Sequence, residues 1–344
     1  MNRFTQLLQE RPWLLADGAT GSNLFQVGLV SGEAPEVWNF EHPDRIQNLH
    51  RSFVDAGADI ILTNSFGGTR YRLKLHQMDQ RVHDVNKTAA QLARLEADRV
   101  ARPVVVAGSM GPTGEILDPL GPLSLEDAEA AFREQALALA EGGVDVLWIE
   151  TMSSKEEVEA AVRGAQVTGL PVVSTMSFDT NGRTMMSLTP ADLVEIQKQY
   201  HLAACGSNCG VGPSEMVASI VNMANAAQDS TILVAKGNCG IPRYADGSIV
   251  YDGTPELMSK YATMALDAGA RIIGGCCGTS PVHLKAMRDA LEKHQKGTKP
   301  DAATIEAELG ALTAGARAQL DGLMDRASGA AAGSTVRRPS RRSR

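Results

Sequence analysis

Short, β-branched apolar runs alternate with longer helix-like segments along most of the chain. That alternation is the pattern of βα units wound around a parallel sheet. Eight runs have strand character: WLLADG (13–18), ADIILTNSF (58–66), PVVVAGSM (103–110), VDVLWIE (144–150), PVVSTMSF (171–178), HLAACGSNCG (201–210), STILVAKGNCG (230–240) and ARIIGGCCGT (270–279). Eight is the count of a closed barrel, so the expected fold is an α/β, TIM-type (β/α)8 barrel. Helix starts are marked by Ser124, by Ser153 or Ser154, by Thr189-Pro190 and by Thr254-Pro255, residues that cap or open a first turn. Glycines in AEGGVD, VTGLP and LDAGARI end helices before later strands. An open, doubly wound sheet would carry a G-x-G-x-x-G loop after its first strand; DGATGSN has only Gly18 and Gly21, and no Walker sequence occurs.

The pattern breaks after about residue 294, which predicts a barrel over 1–294 and a helical extension or linker over 295–328. Residues 329–344 read as a disordered, Arg-rich tail following a Gly/Ala/Ser stretch. Charge sharpens this division. The formal net charge of −7 includes five arginines among the last eight residues, so the first 336 carry 28 basic against 40 acidic side chains. A body that acidic is a poor match for nucleic acid. No apolar run approaches the roughly 18 residues of a membrane span, and the start, MNRFTQLLQERPW, lacks the apolar stretch of a signal peptide. A cytoplasmic location is the expectation, with self-association left open.

In a parallel barrel the chemistry gathers where strands end. The candidate strand ends offer Asp17, Asn64, Ser109, Glu150, Asn208 with Cys209, Asn238 with Cys239, and Cys276 with Cys277. Three ends thus present sulfur, and five cysteines in such a chain argue against a disulfide framework. Zinc favours thiolates in a tetrahedron, and a catalytic site keeps three protein ligands and one open position. Cys276 and Cys277 lie between Gly274, Gly275 and Gly278, which lets the chain leave strand geometry so that neighbouring side chains can converge. Cys209, before Gly210 and Gly212, is the best third ligand. Inert buried thiols and a redox pair are the competing readings. Cys205, earlier in its strand, reads as packing, and Cys239 is left unassigned but to be checked for proximity to the metal.

At these residues the sequence resembles the homocysteine S-methyltransferase family. The resemblance runs in order through ADGATGSNLF, TNSFGG, GSMGPTGE, WIET, GSNCGVGP, AKGN and GGCCGT, over roughly residues 10–290. It implies a zinc ion held by Cys209, Cys276 and Cys277, and homocysteine contacts at Asp17, Gly18 and Glu150, with Asn208 and Ser109 as further candidates. The chemistry suits these groups. A free thiol is mostly protonated at neutral pH; an ion with an open position would bind it and release its proton. The substrate ammonium accounts for carboxylates at two strand ends.

The methyl donor is the open question. Betaine enzymes of the family place aromatic residues where this chain has Ala34 and Thr151, and Trp38 lies nearby but out of register. The expected donor is therefore methylcobalamin carried by a separate corrinoid protein, since no D-x-H-x-x-G motif occurs here. Betaine, or an onium relative such as S-methylmethionine or dimethylsulfoniopropionate, is the alternative. Two readings outside methyl transfer are a Schiff-base aldolase acting through Lys236 and a zinc-thiol redox sensor.

Overall fold

A computed structural model describes residues 2–245 and 248–323; the expected Arg-rich tail lies outside the described residues. The strands, in chain order, are β1 Leu14–Leu15, β2 Ile60–Leu62, β3 Val105–Met110, β4 Val146–Met152, β5 Val172–Met176, β6 Ala204–Cys209, β7 Leu233–Gly237, β8 Pro242–Ala245, β9 Ser248–Tyr251 and β10 Ala270–Gly275. Eight of them form one parallel sheet in the order β1-β10-β7-β6-β5-β4-β3-β2. A parallel bridge between Ala16 and Ile60 joins the first and last of these, so the barrel closes. All eight segments expected to be strands supply one. Unforeseen are the antiparallel hairpin β8–β9, inserted after β7, and the helix Arg3–Glu10.

The side-chain alternation of the strands explains both the core and the site. Leu14, Ala16, Ile60, Leu62, Val105, Ala107, Val146, Trp148, Val173, Ala204, Val234 and Ile272 form one buried cluster. This is the barrel interior, and Phe4 and Leu7 of the N-terminal helix plug its lower end. The intervening residues, among them Leu15, Ile61, Val106, Leu147, Ile149, Cys205, Leu233 and Ile273, belong to the second cluster, which packs against the surrounding helices. Strands buried on both faces in this way read as continuous apolar runs, which is why they stood out in the sequence.

Helix caps fall where expected: Ser124, Ser154, Thr189 and Thr254 each accept a backbone N–H at the start of the helix that follows. Beyond the barrel, helices Ala302–Leu309 and Ala314–Leu320 lie against it. Buried Glu215, on the helix Pro213–Ala226, accepts the Thr313 N–H at 2.6 Å, and Gln319 donates to the Gly182 carbonyl at 2.9 Å. Among the described residues no helix is long and apolar enough to cross a membrane.

Candidate active site

The interior alternation, continued one step past the apolar layers, supplies the site. After Ala107 comes Ser109, after Trp148 comes Glu150, after Val234 comes Lys236; on β6 and β10 glycines intervene before Asn208 and Cys276. The floor of the cavity is thus the top, polar layer of the barrel core. The cavity measures about 450 Å³ and is bordered by Gly18, Ser109, Glu150, Thr151, Lys236, Tyr251 and all three cysteines Cys209, Cys276 and Cys277.

The three sulfurs converge. Cys209 Sγ lies 3.2 Å from Cys276 Sγ and 3.8 Å from Cys277 Sγ, and all three atoms fall within 4.8 Å of one another. A tetrahedral ion with sulfur at about 2.3 Å spaces its ligands about 3.8 Å apart, so the donor set fits one ion with little adjustment. Backbone geometry brings this about. Cys209 adopts φ 61°, a conformation unusual for a residue with a Cβ and one that accumulates at functional sites. Cys276 and Cys277 follow the end of β10, where the Cys276 N–H donates to the Gly237 carbonyl at 2.7 Å. Asn238 clamps the two thiol-bearing loops together: its Oδ1 accepts the Cys277 N–H at 3.1 Å and its Nδ2 donates to the Gly210 carbonyl at 2.7 Å.

Thiols this close cannot all ionise independently. Hydrogen bonds from Cys209 and then Cys276 hold Cys277 far below the ordinary thiol range. Cys209 is pushed up by its hydrogen bonds to Cys276 and Cys277 and by burial. In Cys276 the bond to Cys209 lowers the pKa, but the bond to Cys277, burial and the Cys277 charge together push it up, to about 12. Three thiols that compete for their protons so closely form an arrangement a cation would complete. The remaining cysteines stand apart. Cys205 is buried on the helix-facing side, where desolvation drives its pKa to about 12. Cys239 belongs to the loop network rather than the cluster, its thiol donating to the Gly253 carbonyl at 3.4 Å.

Beside the sulfurs lies a buried charge group. Lys236 Nζ is 2.6 Å from Asp17 Oδ1 and donates also to the Asp17 carbonyl at 3.2 Å. The second Asp17 oxygen accepts the Leu62 N–H at 2.7 Å. Burial pushes Asp17 up while Lys236 pulls it down. Burial also lowers Lys236, but Asp17 and Glu150 outweigh it and hold the ammonium above its ordinary range. The contact distance favours an ionised pair. A lysine so held is a poor Schiff-base nucleophile, because its amine lone pair carries a proton. Glu150 accepts a hydrogen bond from the Ser109 hydroxyl, and burial, against the pull of Lys236, lifts it to about 7.

Of the expected substrate contacts, Gly18, Glu150 and Ser109 border the cavity, whereas Asp17 and Asn208 stand behind its wall. Asp17 is occupied with Lys236. Asn208 is fully buried, donating to Thr151 Oγ1 at 2.7 Å and accepting from the Thr151 N–H at 2.8 Å and the Thr175 hydroxyl at 2.6 Å. Its amide nitrogen is 4.0 Å from Cys276 Sγ. The glycine at 18 is dictated by packing: a Cβ there would stand 2.5 Å from the Thr279 carbonyl oxygen and 2.8 Å from the Phe53 ring. Trp38 is core, edge-on to His42 with ring centroids 4.8 Å apart, and plays no part in the cavity wall.

The cavity is also lined by Phe25 and Phe66, from the stretches ADGATGSNLF and TNSFGG, and by Glu36, Arg72 and His76, which none of the quoted motifs contains. Glu36 is 4% exposed, and its carboxylate accepts the Gly67 N–H at 2.6 Å. Burial raises its pKa, opposed by that hydrogen bond and by the charges of Arg72 and His76. The lining therefore also offers a buried carboxyl group, a guanidinium, an imidazole and two aromatic rings.

Comparison with known proteins adds the following. The family model described as Homocysteine S-methyltransferase matches residues 14–291. The chain is 27% identical over 303 residues to the Methionine synthase of Mycobacterium leprae (strain TN), covering 83% of this chain and 25% of that protein. Against the Methionine synthase of Mycobacterium tuberculosis (strain ATCC 25618 / H37Rv) it is 28% identical over 294 residues, 81% of this chain and 24% of the other. The chain thus spans about a quarter of the length of these curated relatives. Crystal structures of the homocysteine methyltransferase MmuM from Escherichia coli, in its oxidized and its metallated form, superpose with a TM-score of 0.71 at 24% identity, covering 84% of this chain and 99% of that one. That likeness is one of fold.

Proposed function

The chain belongs to the homocysteine S-methyltransferase family, whose model spans residues 14–291, and on that premise we propose that it methylates the sulfur of homocysteine beside Cys209, Cys276 and Cys277, with zinc at the thiol cluster and a small onium carboxylate as methyl donor. The observation that carries this reading is the convergence of the three sulfurs on a cavity that also holds Glu150 and Lys236. Zinc is the ion that an all-sulfur, tetrahedral donor set suits, and when bound it would lower the pKa of a thiol brought to its open position.

The chain's own groups do the rest. Asp17 and Glu150 set two carboxylates against one lysine, so with both ionised the wall is left with one negative charge for the substrate ammonium. Glu150, with a pKa of about 7, gives up its proton as the ammonium arrives, and the Ser109 hydroxyl keeps its carboxylate aimed. Methyl transfer itself balances simply. A lone pair of the homocysteine sulfur forms the new S–CH3 bond, and the electrons of the broken bond stay with the onium atom, which leaves neutral.

Two donor chemistries enter from the sequence. A corrinoid carried on another protein is the first; the cavity lining supports the second, because Phe25 and Phe66 offer aromatic faces to an onium cation and the Arg72 guanidinium suits its carboxylate. A donor panel decides: purified zinc-loaded protein with homocysteine and, in turn, betaine, dimethylsulfoniopropionate, S-methylmethionine, and methylcobalamin free or protein-bound. Methionine formed with an onium compound is the expected result. Turnover with the corrinoid alone would overturn the donor reading, and no methionine with any donor would overturn the whole.

A further inference from the structure

Homocysteine is an α-amino acid as well as a thiol, and the groups assigned so far meet its sulfur and its ammonium but leave its carboxylate without a partner. The cavity floor holds a charge of the sign that is missing. Lys236, at the next inward-facing position of β7 after Val234, is only 2% exposed yet borders the cavity. Its partner Asp17 stands behind the wall, with Oδ1 2.6 Å from Lys236 Nζ, so this ion pair turns its cationic end to the cavity. Asp17 is satisfied without any ligand: its second oxygen accepts the Leu62 N–H at 2.7 Å, and its backbone carbonyl takes a further bond from Nζ at 3.2 Å. An ammonium group has three hydrogens to donate. Two are committed to Asp17, and among the described residues no further acceptor bonds to Nζ.

A buried ion pair adds little net stability, and apolar residues of similar volume commonly replace one at no loss. A lysine in this wall therefore calls for a reason beyond packing. Glu150 supplies the context, because it borders the same cavity from the same polar layer. The floor thus carries one group of each sign, the complement of an α-amino acid, whose ammonium and carboxylate sit on a single carbon. We propose that Lys236 binds the α-carboxylate of the acceptor while Glu150 meets its ammonium, so that the site selects thiols that are also α-amino acids. The proposal rests on the reading of the chain as a homocysteine methyltransferase and deepens it at one residue. The part played by Asp17 changes with it: Asp17 holds the lysine, and the lysine holds the substrate.

The test measures, by titration calorimetry on the full chain loaded with zinc, the binding of homocysteine and of 3-aminopropane-1-thiol, which keeps the sulfur, the carbon spacing and the ammonium and lacks only the carboxylate. Wild type should bind homocysteine about 10–100-fold more tightly, the worth of a hydrogen bond between charged groups. In Lys236→Met, which keeps the reach of the side chain and deletes its charge, homocysteine should weaken by that factor and the decarboxylated thiol should not, so the preference disappears. A lysine that served structure alone would weaken both thiols together. Equal affinities in wild type, or a preference that survives in Lys236→Met, would overturn the proposal. Should that variant fail to fold, Asp17→Asn combined with Lys236→Met removes both buried charges and is judged by the same preference. Wild-type protein that binds neither thiol, or forms no methionine with any donor, would instead overturn the reading beneath.

Discussion

Both ends of the barrel bury acids, and they treat them in opposite ways. At the base, Asp59 is fully buried between three guanidinium groups, with Arg11 at 2.5 Å, Arg288 at 2.9 Å and Arg102 at 3.9 Å. One of its oxygens also accepts the Leu15 N–H at 2.9 Å. At the mouth, Asp17 and Glu150 share Lys236 alone, and Glu150 is left with a pKa of about 7. Excess cation around a buried acid makes a fastening, whereas a shortage makes a vacancy for a charged ligand. On the proposed reading the same residue type is structural at one end and chemical at the other, as the polarity of parallel barrels leads one to expect.

The sharpest break between the two ends should come from sulfur. Cys276→Ser or Cys209→Ser should lose zinc and fall to background methionine formation, with the melting temperature of metal-free protein little changed; metal analysis alongside turnover checks this. The next largest effect belongs to the base. Asp59→Ala leaves three partly buried arginines facing one another and should cost about 3 kcal/mol in denaturant unfolding, with the homocysteine KM unaltered. A changed KM would show that the base is coupled to the mouth and that the contrast fails.

Glu150→Gln should do the reverse. On the proposed reading it removes the anion that meets the substrate ammonium, so kcat/KM should fall about 10–100-fold, the worth of a hydrogen bond to a charged group. Wild-type kcat/KM should rise through pH values near 7 as Glu150 ionises, and the variant should lack that limb. The stability effect has the opposite sign. A carboxyl whose pKa is raised on folding binds its proton more tightly in the native state, so wild-type stability declines as pH climbs from about 4.5 to about 7. Above that window Glu150→Gln should be the more stable protein, by up to about 3 kcal/mol. Wild-type and variant unfolding curves that keep the same separation at pH 5 and pH 8 would contradict this.

The barrel could be read from the chain because its strands are buried on both faces, and runs such as PVVVAGSM show that directly. The hairpin β8–β9 escaped notice because IPRYADGSIVY has no sustained alternation; its Asp246-Gly247 dipeptide, a known turn signal, was the available clue. The helix Arg3–Glu10 buries only Phe4 and Leu7, too few apolar positions for a clear period.

Within the site, the thiols were legible because sulfur at three strand ends is rare. Lys236 was noticed, but as a nucleophile. Its pairing with Asp17 joins residues 219 positions apart and exists only because the barrel closes. Glu36, Arg72 and His76 come from loops and short helices after β1 and β2, whose placement no periodicity encodes.

On the proposed function the three cysteines hold zinc with a position left for the substrate thiol. X-ray absorption at the zinc edge measures this directly on purified full-length protein with and without homocysteine. The expected result is three sulfur neighbours at about 2.3 Å in the free enzyme and four once homocysteine is added. A zinc-free yet fully active protein, or a sulfur count that homocysteine leaves unchanged, would contradict it.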